Sequence, residues 1–146
     1  MNNVLIIDDE PAVRRALKRV LERVGYTVRM AATGAVGLES LRKQAADIVI
    51  TDIIMPGLNG VDAIKAIVKE FPAMRIVAIS GGGNFGNAEY QPGALKTEAY
   101  LAAAKLAGAH SVLTKPFRTP DVLQAIATAS RAPQAASRAD GWPGLN

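Results

Sequence analysis

The chain has 146 residues, enough for one domain and little more, and its 49% hydrophobic and 21% charged residues exclude disorder throughout. It has no cysteine and a single histidine, His110, which excludes disulfide scaffolds, thiolate metal centres and multi-histidine metal sites. The net charge of +4 is small and needs no explanation beyond a solvated surface with excess Lys and Arg.

Val4 to Ile7 is a continuous apolar run, the pattern of a strand buried on both faces. Asp8-Asp9-Glu10-Pro11 follows, and proline suits the first turn of a helix while acidic residues suit its positive end. Val13, Leu17, Val20, Leu21 and Val24 then recur at helical spacing until Gly25. Tyr26 to Ala31 reads as a second, less apolar strand nearer an edge. Thr33 is placed to cap a second helix through Ala35, Leu38 and Leu41. Asp47 to Thr51 is a third strand, ending at Asp52, with Met55-Pro56-Gly57 as loop chemistry. Gly60 to Phe71 predicts a helix with Val61, Ile64, Ile67 and Val68 inward, stopped by Pro72. Arg75 to Ile79 is a fourth strand, followed by Ser80 and three glycines. Asn84 to Leu95 has no clear period and reads as an extended loop. Helical spacing returns at Tyr100, Leu101, Ala104 and Leu106, ending at Gly108. His110 to Leu113 is a short fifth strand, Lys115-Pro116 follows, and Val122, Leu123 and Ile126 mark a last helix.

This alternation predicts an α/β doubly wound fold, with a five-stranded parallel sheet covered by helices on both faces. Residues 1–130 would form the domain and 131–146, rich in Ala, Ser, Pro and Gly, a mobile tail. No apolar run approaches membrane-spanning length. The N-terminus has no basic segment ahead of its short apolar run and does not read as a signal peptide. The expectation is a cytoplasmic protein without membrane contact.

The polar residues fall at strand ends. Asp8 and Asp9 follow the first strand, Asp52 the third, Ser80 the fourth and Lys115 the fifth. With strand order 2-1-3-4-5 these ends are neighbours, at the sheet edge where such folds bind ligands. Crowded carboxylates repel one another and favour a hard cation such as Mg2+, which prefers oxygen ligands. A hydroxyl and an ammonium group opposite suit anionic oxygens, and together the set suits a phosphoryl group on a carboxylate. Taken singly, each residue has a plainer reading. Asp8 and Asp9 could cap a helix, Asp52 could form an Asx turn, Ser80 could be a turn serine, and Lys115 a solvated lysine. The joint placement at four strand ends is what singles them out.

Three stretches, Ile6-Ile7-Asp8-Asp9-Glu10-Pro11, Thr51-Asp52-Ile53-Ile54-Met55-Pro56-Gly57-Leu58-Asn59-Gly60 and Lys115-Pro116-Phe117, are in this order and spacing similar to the receiver domains of bacterial response regulators. The resemblance covers roughly residues 3–130. It implies the flavodoxin-like (βα)5 fold and a two-component signalling role. Asp52 would be the phospho-acceptor, taking its phosphoryl group from a histidine kinase or histidine phosphotransfer protein. Asp8, Asp9, Asp52 and the main-chain carbonyl of Ile54 would hold Mg2+. Ser80 and Lys115 would bind phosphoryl oxygens, Gly81 would leave room beside them, and the Lys115-Pro116 bond would be cis. Phosphorylation would switch the helix-4/strand-5 face for binding an unknown downstream protein. Such a domain is not an ordinary enzyme, since it assists only its own phosphorylation and dephosphorylation. A monomer or weak dimer is expected. With no output segment after residue 131, output would pass through another protein.

Two departures from the family pattern stand out. Val112 occupies the strand-five position usually held by Tyr or Phe, and His110, on the same side by strand alternation, is the candidate substitute against a plain surface histidine. The Ser80 to Lys115 segment is roughly a dozen residues longer than usual, and long loops in compact domains are usually functional or disordered. It reads as a remodelled fourth-helix region or a tolerated insertion. The basic face of the first helix, Arg14, Arg15, Lys18 and Arg19, is either a solvated face or a docking surface for a kinase. The alternative function is a phosphorylation-independent interaction module with a vestigial site. Nucleic-acid binding is not expected, because no recognition helix or aromatic-basic motif is present. A phosphatase using Asp52 is disfavoured by the apolar Ile53 and Ile54, where a general acid is wanted.

Overall fold

The computed structural model describes residues 3–53, 60–80 and 102–132. Five strands form one parallel sheet: β1 (Asn3–Ile7), β2 (Thr27–Ala31), β3 (Ile48–Asp52), β4 (Arg75–Ser80) and β5 (Ser111–Thr114). Their order is β2-β1-β3-β4-β5, the order of the flavodoxin-like (βα)5 fold that the resemblance implies. The helices are α1 (Pro11–Arg23), α2 (Gly34–Lys43), α3 (Gly60–Glu70), α4, described over 102–107, and α5 (Thr119–Arg131).

Side-chain alternation along the strands sorts the core into two layers. Val4, Ile6, Ile48, Ile50, Val77, Ile79 and Leu113 meet Leu17 and Leu21 of α1 and Val122 and Ile126 of α5. Leu5, Ile7, Val49, Ile76 and Ala78 face the other way, toward Leu41 of α2, Ile64 and Ile67 of α3 and Ala104 of α4. Each large aliphatic side chain so buried favours the fold by about 1.5–3 kcal/mol over exposure. The central strands β1, β3 and β4 are therefore almost wholly apolar, while β2, at the edge, is mostly half-exposed.

Local signals act where expected. Pro11 opens α1, and Gly25 follows it with φ of 104°. The Thr33 side chain accepts a hydrogen bond from Val36 N–H at 3.1 Å and so caps α2. Three apolar residues depart from their expected inward placement, among them Ala35, exposed in the first turn of α2. Val24 lies past the last turn of α1 as its C-cap and is 51% exposed, and Leu106 is 83% exposed on α4. Helical spacing gives a residue's face only while the helix continues, and α4 buries a narrow stripe centred on Ala104. Residues 133–146 and 81–101, which include most of the expected tail and the remodelled segment, lie outside the described residues.

Candidate functional site

Among the described residues, the buried polar ones are Asp8, Thr51, Asp52, Ser80, Ser111 and Lys115. Ser111 is accounted for by its bond to the Ala125 carbonyl on α5, at 2.7 Å. The other five lie at the carboxyl edge of the sheet, on or just after β1, β3, β4 and β5. Burying polar groups is costly unless they find partners, so their gathering at one edge marks a site.

Backbone bonds carry the sheet past its last residues and hold this edge. Asp8 N–H donates to Ala31 O at 3.1 Å, Ile53 N–H to Ile79 O at 3.0 Å, and Lys115 N–H to Ser80 O at 2.9 Å. The β1–α1 turn is tied to Asp8, whose Oδ1 accepts from Glu10 N–H at 2.8 Å and whose carbonyl accepts from Arg14 Nη1 at 2.6 Å. The Lys115-Pro116 peptide is cis. On the far side of Asp52, Gly60 starts α3 so close to the strand end that a Cβ would stand 2.2 Å from Ile53 Cα and 2.4 Å from the Asp52 carbonyl.

The Lys115 ammonium stands among three carboxylates. It lies 2.7 Å from Glu10 Oε1, 3.2 Å from Asp8 Oδ2 and 3.2 Å from Asp52 Oδ2. Burial alone would lower its pKa, but the hydrogen bond with Glu10 and the charges of Asp52 and Asp8 outweigh that and raise it. Burial pushes the Asp8 carboxyl above its ordinary value, against the opposing pull of its Glu10 backbone bond and of Lys115. Exposed Asp9 completes the cluster: one carboxylate oxygen each from Asp8, Asp9 and Asp52 lie within 4.8 Å of one another. That all-oxygen, partly open donor set fits a hard divalent cation. Ser80 Oγ is fully buried and has no hydrogen-bond partner among the described residues, as a hydroxyl reserved for a bound group would be.

The fold thus brings together Asp8, Asp9, Asp52, Ser80 and Lys115, and Ile54 and Gly81 lie outside the described residues. Sequence reasoning placed Glu10 at the positive end of a helix and gave it no role at the site, where it is the nearest partner of Lys115. The only available signal was its place two residues beyond Asp8 in the motif. His110 is not near the site. Its Nδ1 accepts from Ile76 N–H at 3.1 Å, at the amino end of β4, four residues of strand from Ser80. It therefore does not stand in for a strand-five aromatic. Val112 packs against the α2–α3–α4 layer of the core. A surface hollow of about 570 Å3 along β5 and α5, lined in part by Val112, Thr114, Gln124 and Thr128, lacks any comparable gathering of charge.

Comparison with known proteins agrees with this geometry. The model of the response regulator receiver domain matches residues 4–127. The chain is 35% identical to the chemotaxis protein CheY of Thermotoga maritima, over 88% of this chain and 97% of that one. It is 30% identical to the protein PilH of Pseudomonas aeruginosa, over 86% of this chain and 95% of that one. The crystal structure of a response regulator receiver domain protein from Clostridium thermocellum superimposes with a TM-score of 0.69 at 31% identity, covering 88% of this chain and 94% of that one. Family model, relatives and sheet order agree, and the chain belongs to the response regulator receiver domain family.

Proposed function

We propose that this chain is a phosphorylation switch in which Asp52 takes a phosphoryl group from a histidine kinase or histidine phosphotransfer protein. One observation carries the reading: the buried Asp52 carboxylate at the sheet edge shares a carboxylate cluster with Asp8 and Asp9 and stands 3.2 Å from a buried ammonium, and the neighbouring strand end carries a buried hydroxyl that has no hydrogen-bond partner among the described residues. An Asp52 oxygen attacks phosphorus while the donor's bond to phosphorus breaks. Asp8, Asp9 and Asp52, with the Ile54 carbonyl that the family resemblance implies, would hold Mg2+, which would neutralise charge on the phosphoryl oxygens. Lys115 pairs with one of those oxygens and Ser80 Oγ donates to another. Such a domain signals by binding, and a cytoplasmic place beside its kinase follows from that role. The face formed by α4 and β5 is the surface that changes for a downstream protein.

The second reading, an interaction module that works without phosphorylation, is favoured by one feature. Val112 occupies the strand-five position where an aromatic side chain would move with Ser80, and it is half-buried against the core layer. Intact mass after incubation with Mg2+ and acetyl phosphate separates the two. The switch predicts one added phosphoryl group, absent without Mg2+ and absent in Asp52→Asn. No addition in the wild type, from acetyl phosphate or a panel of kinases, favours the interaction module.

A further inference from the structure

Glu10 is the N-cap of α1, yet its side chain makes no capping bond. Short side chains such as aspartate cap at this position, whereas the longer glutamate is not a preferred N-cap and is left to reach elsewhere. Here the carboxylate turns away from α1, and its Oε1 makes the shortest of the three contacts to Lys115 Nζ, at 2.7 Å against 3.2 Å for Asp8 and for Asp52. The Glu10 backbone is fixed at both ends. Its N–H donates to Asp8 Oδ1, and its carbonyl accepts from Val13 and Arg14 N–H at 3.1 Å. The side chain therefore projects from a rigid turn. It is 41% exposed, whereas Lys115 is 4% exposed, so Glu10 forms the solvent-side wall of the ammonium's surroundings.

We propose that Glu10 is a positioning residue: its carboxylate holds the Lys115 ammonium beside Asp8 and Asp52, and so restrains the rate at which Asp52 gains a phosphoryl group. The proposal rests on the receiver reading above. In the step concerned, an Asp52 carboxylate oxygen forms a bond to phosphorus as the bond to the acetate oxygen of acetyl phosphate breaks and acetate leaves. No proton is needed. Lys115 can follow the incoming phosphoryl oxygens only by giving up existing contacts. The contact with Glu10 is the shortest of these, and Glu10 also repels an anionic donor.

The test compares Glu10→Gln, Glu10→Asp and a charge control, Glu22→Gln, on the exposed side of α1. Rates of phosphoryl gain on the full chain are followed by intact mass over a range of acetyl phosphate concentrations with Mg2+ present. Glu10→Asp keeps the charge but withdraws it by about 1.5 Å, one carbon–carbon bond. The expected result is a rise of about two- to ten-fold in the apparent second-order rate for both Glu10→Gln and Glu10→Asp, the range for losing one partly exposed charge-assisted contact. Glu22→Gln stays at the wild-type rate. Wild-type behaviour of Glu10→Asp, or an equal rise in Glu22→Gln, overturns the proposal and leaves net charge as the cause.

A second readout does not need phosphorylation. The Lys115 ammonium resonance in nitrogen–proton NMR, assigned by its loss in Lys115→Arg, is expected to persist in the wild type and to broaden away in Glu10→Gln. If the wild type takes no phosphoryl group, the receiver reading fails, and this resonance still decides whether Glu10 holds Lys115. An unchanged resonance in Glu10→Gln overturns the contact.

Discussion

Asp8 is the residue on which the site and the fold disagree. Its carboxyl is fully buried, and burial raises its pKa even though the Glu10 backbone bond and Lys115 both favour the charged form. The sign of the consequence follows from linkage. A carboxyl whose folded pKa lies above its unfolded value favours the fold below the unfolded value, and that contribution is lost as pH rises through the folded pKa. At neutral pH an ionised Asp8 therefore costs stability when no cation is bound. Asp8→Asn keeps an oxygen for Glu10 N–H and removes the buried charge, while Lys115 retains Glu10 and Asp52. In chelator at pH 7, Asp8→Asn is expected to melt above the wild type by about 2–8 °C, the shift that goes with roughly 1 kcal/mol in a domain of this size. The gap is expected to narrow as pH falls toward 3.8, the carboxyl's ordinary value. A melting scan at several pH values checks both parts, and a lower midpoint for Asp8→Asn at pH 7 would show that Lys115 outweighs burial.

At the scale of elements, two glycines set how closely helices approach the sheet, and they differ in what stands opposite. A Cβ at Gly60 would meet backbone, at Ile53 and the Asp52 carbonyl, whereas one at Gly37 on α2 would meet the end of the Ile7 side chain, 2.4 Å away. Side-chain ends can rotate, and backbone at a paired strand end cannot. Gly60→Ala is therefore expected to cost about 1–3 kcal/mol, the range for overpacking. Gly37→Ala is expected to cost less, because alanine also recovers about 1 kcal/mol of helix propensity. Urea denaturation of both variants measures the difference, and equal losses would sink the argument. The same physics explains what the sequence made legible. Continuous apolar runs located β1, β3 and β4, because strands covered on both faces admit little else. The polar residue closing each run then marked the carboxyl edge. Glu10 was not legible in the same way, because an acidic residue beside Pro11 has a sufficient explanation in the helix terminus, and only the fold brings Lys115 within 2.7 Å of it. Of the two readings open for His110, substitution for the strand-five aromatic fails for a related reason. Alternation gives the side of a strand and says nothing of distance along it, and His110 sits at the amino end beside Ile76.

Over the whole molecule, stability is spread along one sheet while site chemistry is concentrated at its carboxyl edge. The two aliphatic layers hold the strands along their length, while the carboxyl edge gathers charge that the core must tolerate. A cation that enters the acidic cluster binds the folded chain and not the unfolded one, so it stabilises the fold by mass action. The effect is about 1.4 kcal/mol when free Mg2+ stands about tenfold above its Kd. Mg2+ is thus expected to raise the melting temperature of the wild type, and chelator to reverse the rise. Asp9 separates this effect from packing. It belongs to the cluster of three carboxylates, yet it is exposed and no core contact depends on it. Asp9→Asn is therefore expected to melt close to the wild type in chelator and to lose most of the Mg2+-dependent rise. Calorimetric scans over a Mg2+ series on both proteins read the two quantities independently. An Asp9→Asn protein that keeps the full rise would move the cation away from this cluster, while one that already melts early in chelator would give Asp9 a part in holding the β1–α1 turn.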